Sequence, residues 1–153
     1  MPAESDVYDK QADNYDLLVS REDYQGNILP AIQKACSFDN KIIVELGAGT
    51  GRLTRLVAPL AERILAFDLS HHMLTRARSA WFEGVPDQVS LGVADSAAVP
   101  LPSNCADIIL AGWSFCYLAV WGEAQWKERL DAGMAEIRRV LKPTGVAVIL
   151  ETA

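Results

Sequence analysis

Apolar and polar positions along this chain switch repeatedly between two periods. Lys41 to Leu46 is a continuous apolar run suited to a buried parallel strand, whereas Gly51 to Ala61 places Leu53, Leu56, Val57 and Leu60 at helical spacing. The exchange then repeats. Arg63 to Asp68 reads as a second strand, and Ser70 offers an N-cap to a helix reaching about Trp81, with Met73, Leu74, Ala77 and Trp81 on one face. After the turn Gly84-Val85-Pro86-Asp87, strand three covers Val89 to Ala94 and strand four Ala106 to Gly112. A long amphipathic helix follows from about Glu123 to Leu141 through Trp126, Leu130, Met134, Ile137 and Val140, and Val146 to Leu150 is strand five. Ahead of the first strand the pattern predicts helices over Ser5 to Val19 and over Asp23 to Cys36, where Ile28, Leu29 and Ile32 share a face and Pro30 blurs the start. Strands alternating with helices predict an α/β fold with a parallel, doubly wound sheet.

Length and composition narrow this without changing it. At 153 residues, half of them hydrophobic, the chain suits a single domain, with residues 1–40 as a helical cap on an α/β core of 41–153. No apolar run approaches the roughly 18 residues of a membrane span, and the acidic start Met1-Pro2-Ala3-Glu4-Ser5-Asp6 is unlike a secretory signal, so a cytoplasmic protein with no membrane partner is expected. Fourteen basic against twenty acidic side chains give a net charge of −6 without a basic stripe, which argues against nucleic acid as a partner. Cys36, Cys105 and Cys116 lack paired spacing, and the adjacent His71-His72 diverge on a helix with no third ligand, so neither a disulfide framework nor a metal site is expected.

Chemistry concentrates where strand one opens into its helix, at Val44-Glu45-Leu46-Gly47-Ala48-Gly49-Thr50-Gly51-Arg52-Leu53-Thr54. Three alternate glycines let the backbone take positive φ and pass close to a ligand. The dinucleotide fingerprint is matched only partially, because its third glycine falls one residue early, at Gly51, and Arg52 occupies the expected place. A P-loop would need Lys followed by Ser or Thr, which Arg52-Leu53 does not supply. Asp68, ending the second strand, can accept hydrogen bonds from neighbouring ribose hydroxyls, in a position common to several nucleoside cofactors.

The Glu45-x-Gly-x-Gly-x-Gly run resembles the first motif of the class I S-adenosylmethionine (SAM) dependent methyltransferases. Phe67-Asp68-Leu69-Ser70 with Met73-Leu74 resembles the family's second-strand acid and following helix start. Ala94-Asp95-Ser96 resembles its third-strand acid motif, and Leu141-Lys142-Pro143-Thr144-Gly145 the turn before strand five, with Thr144 where the family usually has Gly. The opening Tyr8-Asp9-x-x-Ala12-x-x-Tyr15-Asp16 also resembles the family's N-terminal segment.

The resemblance implies a Rossmann-like sheet in the order 3-2-1-4-5, SAM as cofactor, and methyl transfer to a small-molecule acceptor. It places the methionine part of SAM against Gly47, Ala48, Gly49 and Gly51, its ammonium near Glu45, its ribose on Asp68 beside Leu69 and Met73, and its adenine against Asp95 and Ser96. Trp113 is then either presented to the reacting end or packed in the core, and Tyr15, with Tyr8, forms a lid or an anchoring helix face. These aromatic residues suggest an uncharged or lipid-like acceptor pocket, and no general base is identified. The family usually continues with a helix and two further strands, so the chain is expected to be a fragment or to cover its strand-five edge by homo-oligomerisation. A non-catalytic SAM-binding or interaction module and, more distantly, an NAD-linked oxidoreductase are the alternatives.

Overall fold

A computed structural model describes residues 17, 21, 23–117 and 124–151. The first predicted helix, with Tyr8 and Tyr15, falls almost wholly outside them. Five strands form one sheet in the order β3-β2-β1-β4-β5: β1 (Ile42–Leu46), β2 (Arg63–Asp68), β3 (Val89–Val93), β4 (Ala106–Gly112) and β5 (Leu141–Leu150). Every neighbouring pair runs parallel. Four helices are described: α1 (Ile28–Ala35), α2 (Arg52–Val57), α3 (His71–Ser79) and α4 (Trp126–Val140).

Side chains alternate across the central strands and build a core on each face. Ile43, Ile64, Ala66, Ile108 and Leu110 pack with Ile32 of α1, Leu53 and Val57 of α2 and Leu74 of α3. Val44, Leu46, Ile109 and Ala111 pack on the other face with Ile137 and Val140 of α4. β1 and β4 sit mid-sheet with helices on both sides, which explains sequences that are apolar apart from Glu45 and Asp107. The polar loop after β3 is fastened to α4. Glu136 accepts from the Val99 N–H at 2.9 Å and pairs with Arg139 at 2.6 Å, while Arg139 donates to Leu101 O.

The four described helices are shorter than their sequence patterns, α4 starting at Trp126 after a turn at 124–125 and ending at Val140. α1 begins at Ile28 because Asp23–Gln25 form a turn whose Asp23 carboxylate caps the Asn27 and Ile28 N–H groups, at 2.7 and 3.3 Å. Pro30 then lies in the first helical turn, where its missing N–H leaves no intrahelical bond unmade. α2 gives way to a turn after Val57, and α3 stops at Ser79, short of Trp81.

The turn expected at Leu141 to Gly145 is instead part of β5, as a large bulge. Leu141 pairs with Ala106 and Val146 with Ile108, so four residues of β5 stand opposite Asp107 alone. A bulge tolerates Pro143, which has no N–H for the ladder. Gly145 is required there because a Cβ would come within 2.9 Å of the Asp107 carbonyl oxygen. The Asp107 carboxylate also ties three strands at this end of the sheet, accepting from the Ile42 N–H and from Lys142 Nζ, each at 2.9 Å. These bonds hold its carboxyl below the usual range.

Candidate active site

At the opposite end, the carboxyl ends of β1, β2 and β4 meet around the glycine loop. Gly47, Gly49 and Gly51 have φ of +69°, +55° and +81°, a conformation that glycine takes without the cost a Cβ would add. The Ala48 N–H donates to Phe67 O at 2.9 Å, fixing the loop to the end of β2. Ser114, following β4, closes over Gly47 so tightly that a Cβ there would lie 2.4 Å from the serine Cβ.

Asp68 holds the loop in this shape. It is 5% exposed, with Oδ2 accepting from the Gly49 N–H and Oδ1 from the Ser70 N–H, both at 2.8 Å. Ser70 in turn caps α3 by accepting from the Met73 N–H. A carboxylate offers about four acceptor positions, so serving two backbone donors and a diol together is within its capacity.

Glu45 lies beneath the loop and is 2% exposed. It accepts a 2.6 Å hydrogen bond from Thr54 Oγ1 on α2. Burial pushes its carboxyl up to about 7 and the negative charge of Asp68 adds to the rise, against the opposing Thr54 hydrogen bond and Arg55 charge. A cation brought to this carboxylate would reverse that shift. Ser114 Oγ, buried above Gly47, finds no hydrogen-bond partner among the described residues. The Glu45 and Asp68 carboxylates thus offer acceptors to a ligand that carries an ammonium group or hydroxyl donors.

The remaining expected residues are arranged by strand. On the β3 side, Asp95 Oδ1 accepts from the Ala97 N–H at 2.9 Å, and Oδ2 lies 3.4 Å from Arg129 of α4. Ser96 beside it is half-buried. Leu69 projects from the end of β2 with 66% of its surface exposed, whereas Met73 is fully buried on the inward face of α3 and presents no surface to a ligand. On the β4 side Trp113 has φ +52°, a costly conformation for a bulky residue, held by its N–H donating to Leu150 O at 2.7 Å. The packing reading of Trp113 is met, since it lies against the core, and it also lines a cavity. Tyr15 lies outside the described residues. His71 and His72 are exposed, and among the described residues no group of three potential metal ligands occurs.

Two participants were missed by sequence reasoning. Thr54 carried a signal, because a hydroxyl residue between Leu53 and Val57 interrupts the apolar face of α2. Arg52 counted only as a departure from the dinucleotide fingerprint, yet its guanidinium stacks 4.2 Å from the Trp113 ring centroid. The two line a cavity of about 420 Å3 with Asp23, Tyr24, Asn27 and Ile28.

Residues 44–149 match the family described as "Methyltransferase domain". The chain belongs to the class I SAM-dependent methyltransferases. Two malonyl-[acyl-carrier protein] O-methyltransferases are similar to it. That of Methylococcus capsulatus is 37% identical over 106 residues, covering 67% of this chain and 34% of the relative. That of Yersinia pestis is 30% identical over 140 residues, covering 92% of this chain and 46% of the relative. A SAM-dependent methyltransferase structure from Mesorhizobium loti superposes with a TM-score of 0.62 at 28% identity, over 78% of this chain and 51% of that one. The chain thus spans less than half the length of the two acyl-carrier relatives. The cofactor that accompanies this methyltransferase fold is SAM.

Proposed function

We propose that the chain binds SAM across the carboxyl ends of β3, β2 and β1 and transfers its methyl group to a small-molecule acceptor on the β4 side. The observation that carries this reading is Asp68, a buried carboxylate that clamps the Gly49 N–H and stands where a ribose diol would lie. Glu45 would receive the ammonium group, Gly47, Ala48, Gly49 and Gly51 the methionine chain, Leu69 an adenine face, and Asp95 with Ser96 the adenine edge. Met73 supports this wall from within. Trp113 and, from the N-terminal segment, Tyr15 would border the reacting end.

SAM supplies an activated methyl on a sulfonium that leaves as a neutral thioether. The protein's share is then to hold the acceptor in line and exclude water. The malonyl-[acyl-carrier protein] relatives make a carboxyl oxygen one candidate for the accepting atom, and such an oxygen needs no base to become nucleophilic at neutral pH.

Calorimetric titration with S-adenosylhomocysteine (SAH), beside NAD, tests the cofactor assignment. SAH binding that Asp68→Ala weakens about 100-fold, with no NAD binding, is the expected result. Preference for NAD, or no binding by a demonstrably folded chain, would refute it. Transfer of a labelled methyl group to acceptors in a cell extract then separates an enzyme from a cofactor-binding module.

A further inference from the structure

One buried residue of α2 is not what helix packing asks for. Leu53 and Val57 face the core, and between them Thr54, 0% exposed, places a hydroxyl where an apolar side chain would pack as well. A helical threonine ordinarily turns its hydroxyl to the carbonyl four residues back. This one donates at 2.6 Å to Glu45, nine positions earlier on β1, beneath the glycine loop.

Glu45 depends on such a donor. Its carboxyl is almost wholly removed from water, and that burial favours the neutral acid. Among the described residues, the charges that act on it are Asp68 from β2, which also favours the neutral acid, and Arg55 from α2, which opposes it. The other neighbours are apolar: Ala66 of β2 and Leu110 of β4 flank it in the sheet, and Ile32 of α1 and Leu74 of α3 pack on the same face. The strongest influence holding a negative charge here is therefore the Thr54 hydroxyl, joined by the Thr54 N–H.

We propose that Thr54 is a positioning residue for the cofactor, holding the Glu45 carboxylate charged and oriented for the ammonium group of SAM, so that capture of the cofactor releases a proton from this buried site. This rests on the methyl-transfer reading above. In the free protein at neutral pH, Glu45 carries its proton about half the time. The ammonium arrives with its own charge, so the carboxyl proton leaves for the buffer as the ion pair forms, and none passes to the ligand. A carboxylate has about four acceptor positions, enough to keep the Thr54 bond and receive the ammonium together.

The test is calorimetric titration with SAH from about pH 5.5 to about pH 8.5, in two buffers of different ionisation heat, beside methylthioadenosine, which lacks the amino-acid chain. SAH should release about half a proton near pH 7 and bind about tenfold more weakly at the acid end, whereas methylthioadenosine should show neither effect. Thr54→Val keeps the shape and removes the donor. It should move the SAH profile up by about one pH unit, so that binding is about tenfold weaker than wild type near pH 6 and approaches wild type near pH 8.5. Thr54→Ser should restore the wild-type profile, and Glu45→Gln should bind SAH without proton release or slope.

A Thr54→Val protein that loses affinity by the same factor at every pH would reduce Thr54 to a packing role and overturn the proposal. So would SAH binding without proton release, a slope that persists in Glu45→Gln, or an equal slope for methylthioadenosine. Should Glu45→Gln fail to fold, the comparison of the two ligands decides the same point. Failure of the folded wild type to bind SAH at any pH would instead sink the cofactor reading on which the proposal rests.

Discussion

The β2 side of the site and its β4 side are built in different ways. At β2 a carboxylate holds backbone donors: Asp68 fastens Gly49 and Ser70, and the Ala48 N–H reaches Phe67 O. At β4 side chains hold one another: Arg52 stacks on a conformationally strained Trp113, and Ser114 closes over Gly47. The first arrangement is a rigid cradle whose residue types follow from backbone geometry. The second is a wall whose chemistry changes with each substituted side chain. A fold that keeps one cofactor while varying its acceptors gains from such a division.

The sharpest way to break the comparison is at its backbone-holding side. Asp68→Ala leaves two N–H groups without their acceptor, so a thermal melt should register a loss of about 3 kcal/mol and SAH affinity should fall about 100-fold. Intact affinity in that variant would mean that the cradle does not depend on its clamp.

Glu45 sharpens the contrast through pH. Its folded value of about 7 lies above the ordinary 4.5, so protonation favours the folded state. The contribution is fully present below about pH 4.5, falls as pH rises from there to 7, and levels off above that, a change of at most about 3 kcal/mol in the free protein. Denaturant melts across this window should show the slope, and Glu45→Gln should flatten it. SAH carries an ammonium group, so its affinity should rise through the same window.

Gly47→Ala probes the seam between the two sides. The new Cβ meets Ser114 Cβ in a backbone of φ +69°, for an expected loss of about 2 kcal/mol. Adding Ser114→Gly should recover part of this by removing the clash, and failure to do so would place the whole cost in the backbone. The smallest effect is expected from Arg129→Ala. Its ion pair with Asp95 is half-exposed, so stability should change by under about 1 kcal/mol, as a chemical melt can verify.

Legibility in the sequence followed the same division. The bounds of β2 and β4 were readable to the residue because their apolar runs end at Asp68 and Gly112. The glycine loop and its acids stood out because positive φ and strand-end charge restrict the choice of residue. Helix ends were less legible, since Asp23 caps α1 through a turn that periodicity does not register. The bulge at Lys142–Gly145 read as a turn because its Pro and Gly are the same in both contexts. Arg52 and Trp113 were illegible as a pair, because distant parts of the chain bring them together.

The Asp107 tie gives the sheet a mechanical polarity. One carboxylate draws together the first residue of β1, β4 and the bulge of β5 at the end remote from the glycine loop. Tension applied there travels through strand ladders before it reaches any ligand group. A fluorophore or tether placed on the bulge would therefore sense unfolding while leaving the ligand end undisturbed, making this corner the natural handle for pulling on, immobilising or labelling the protein.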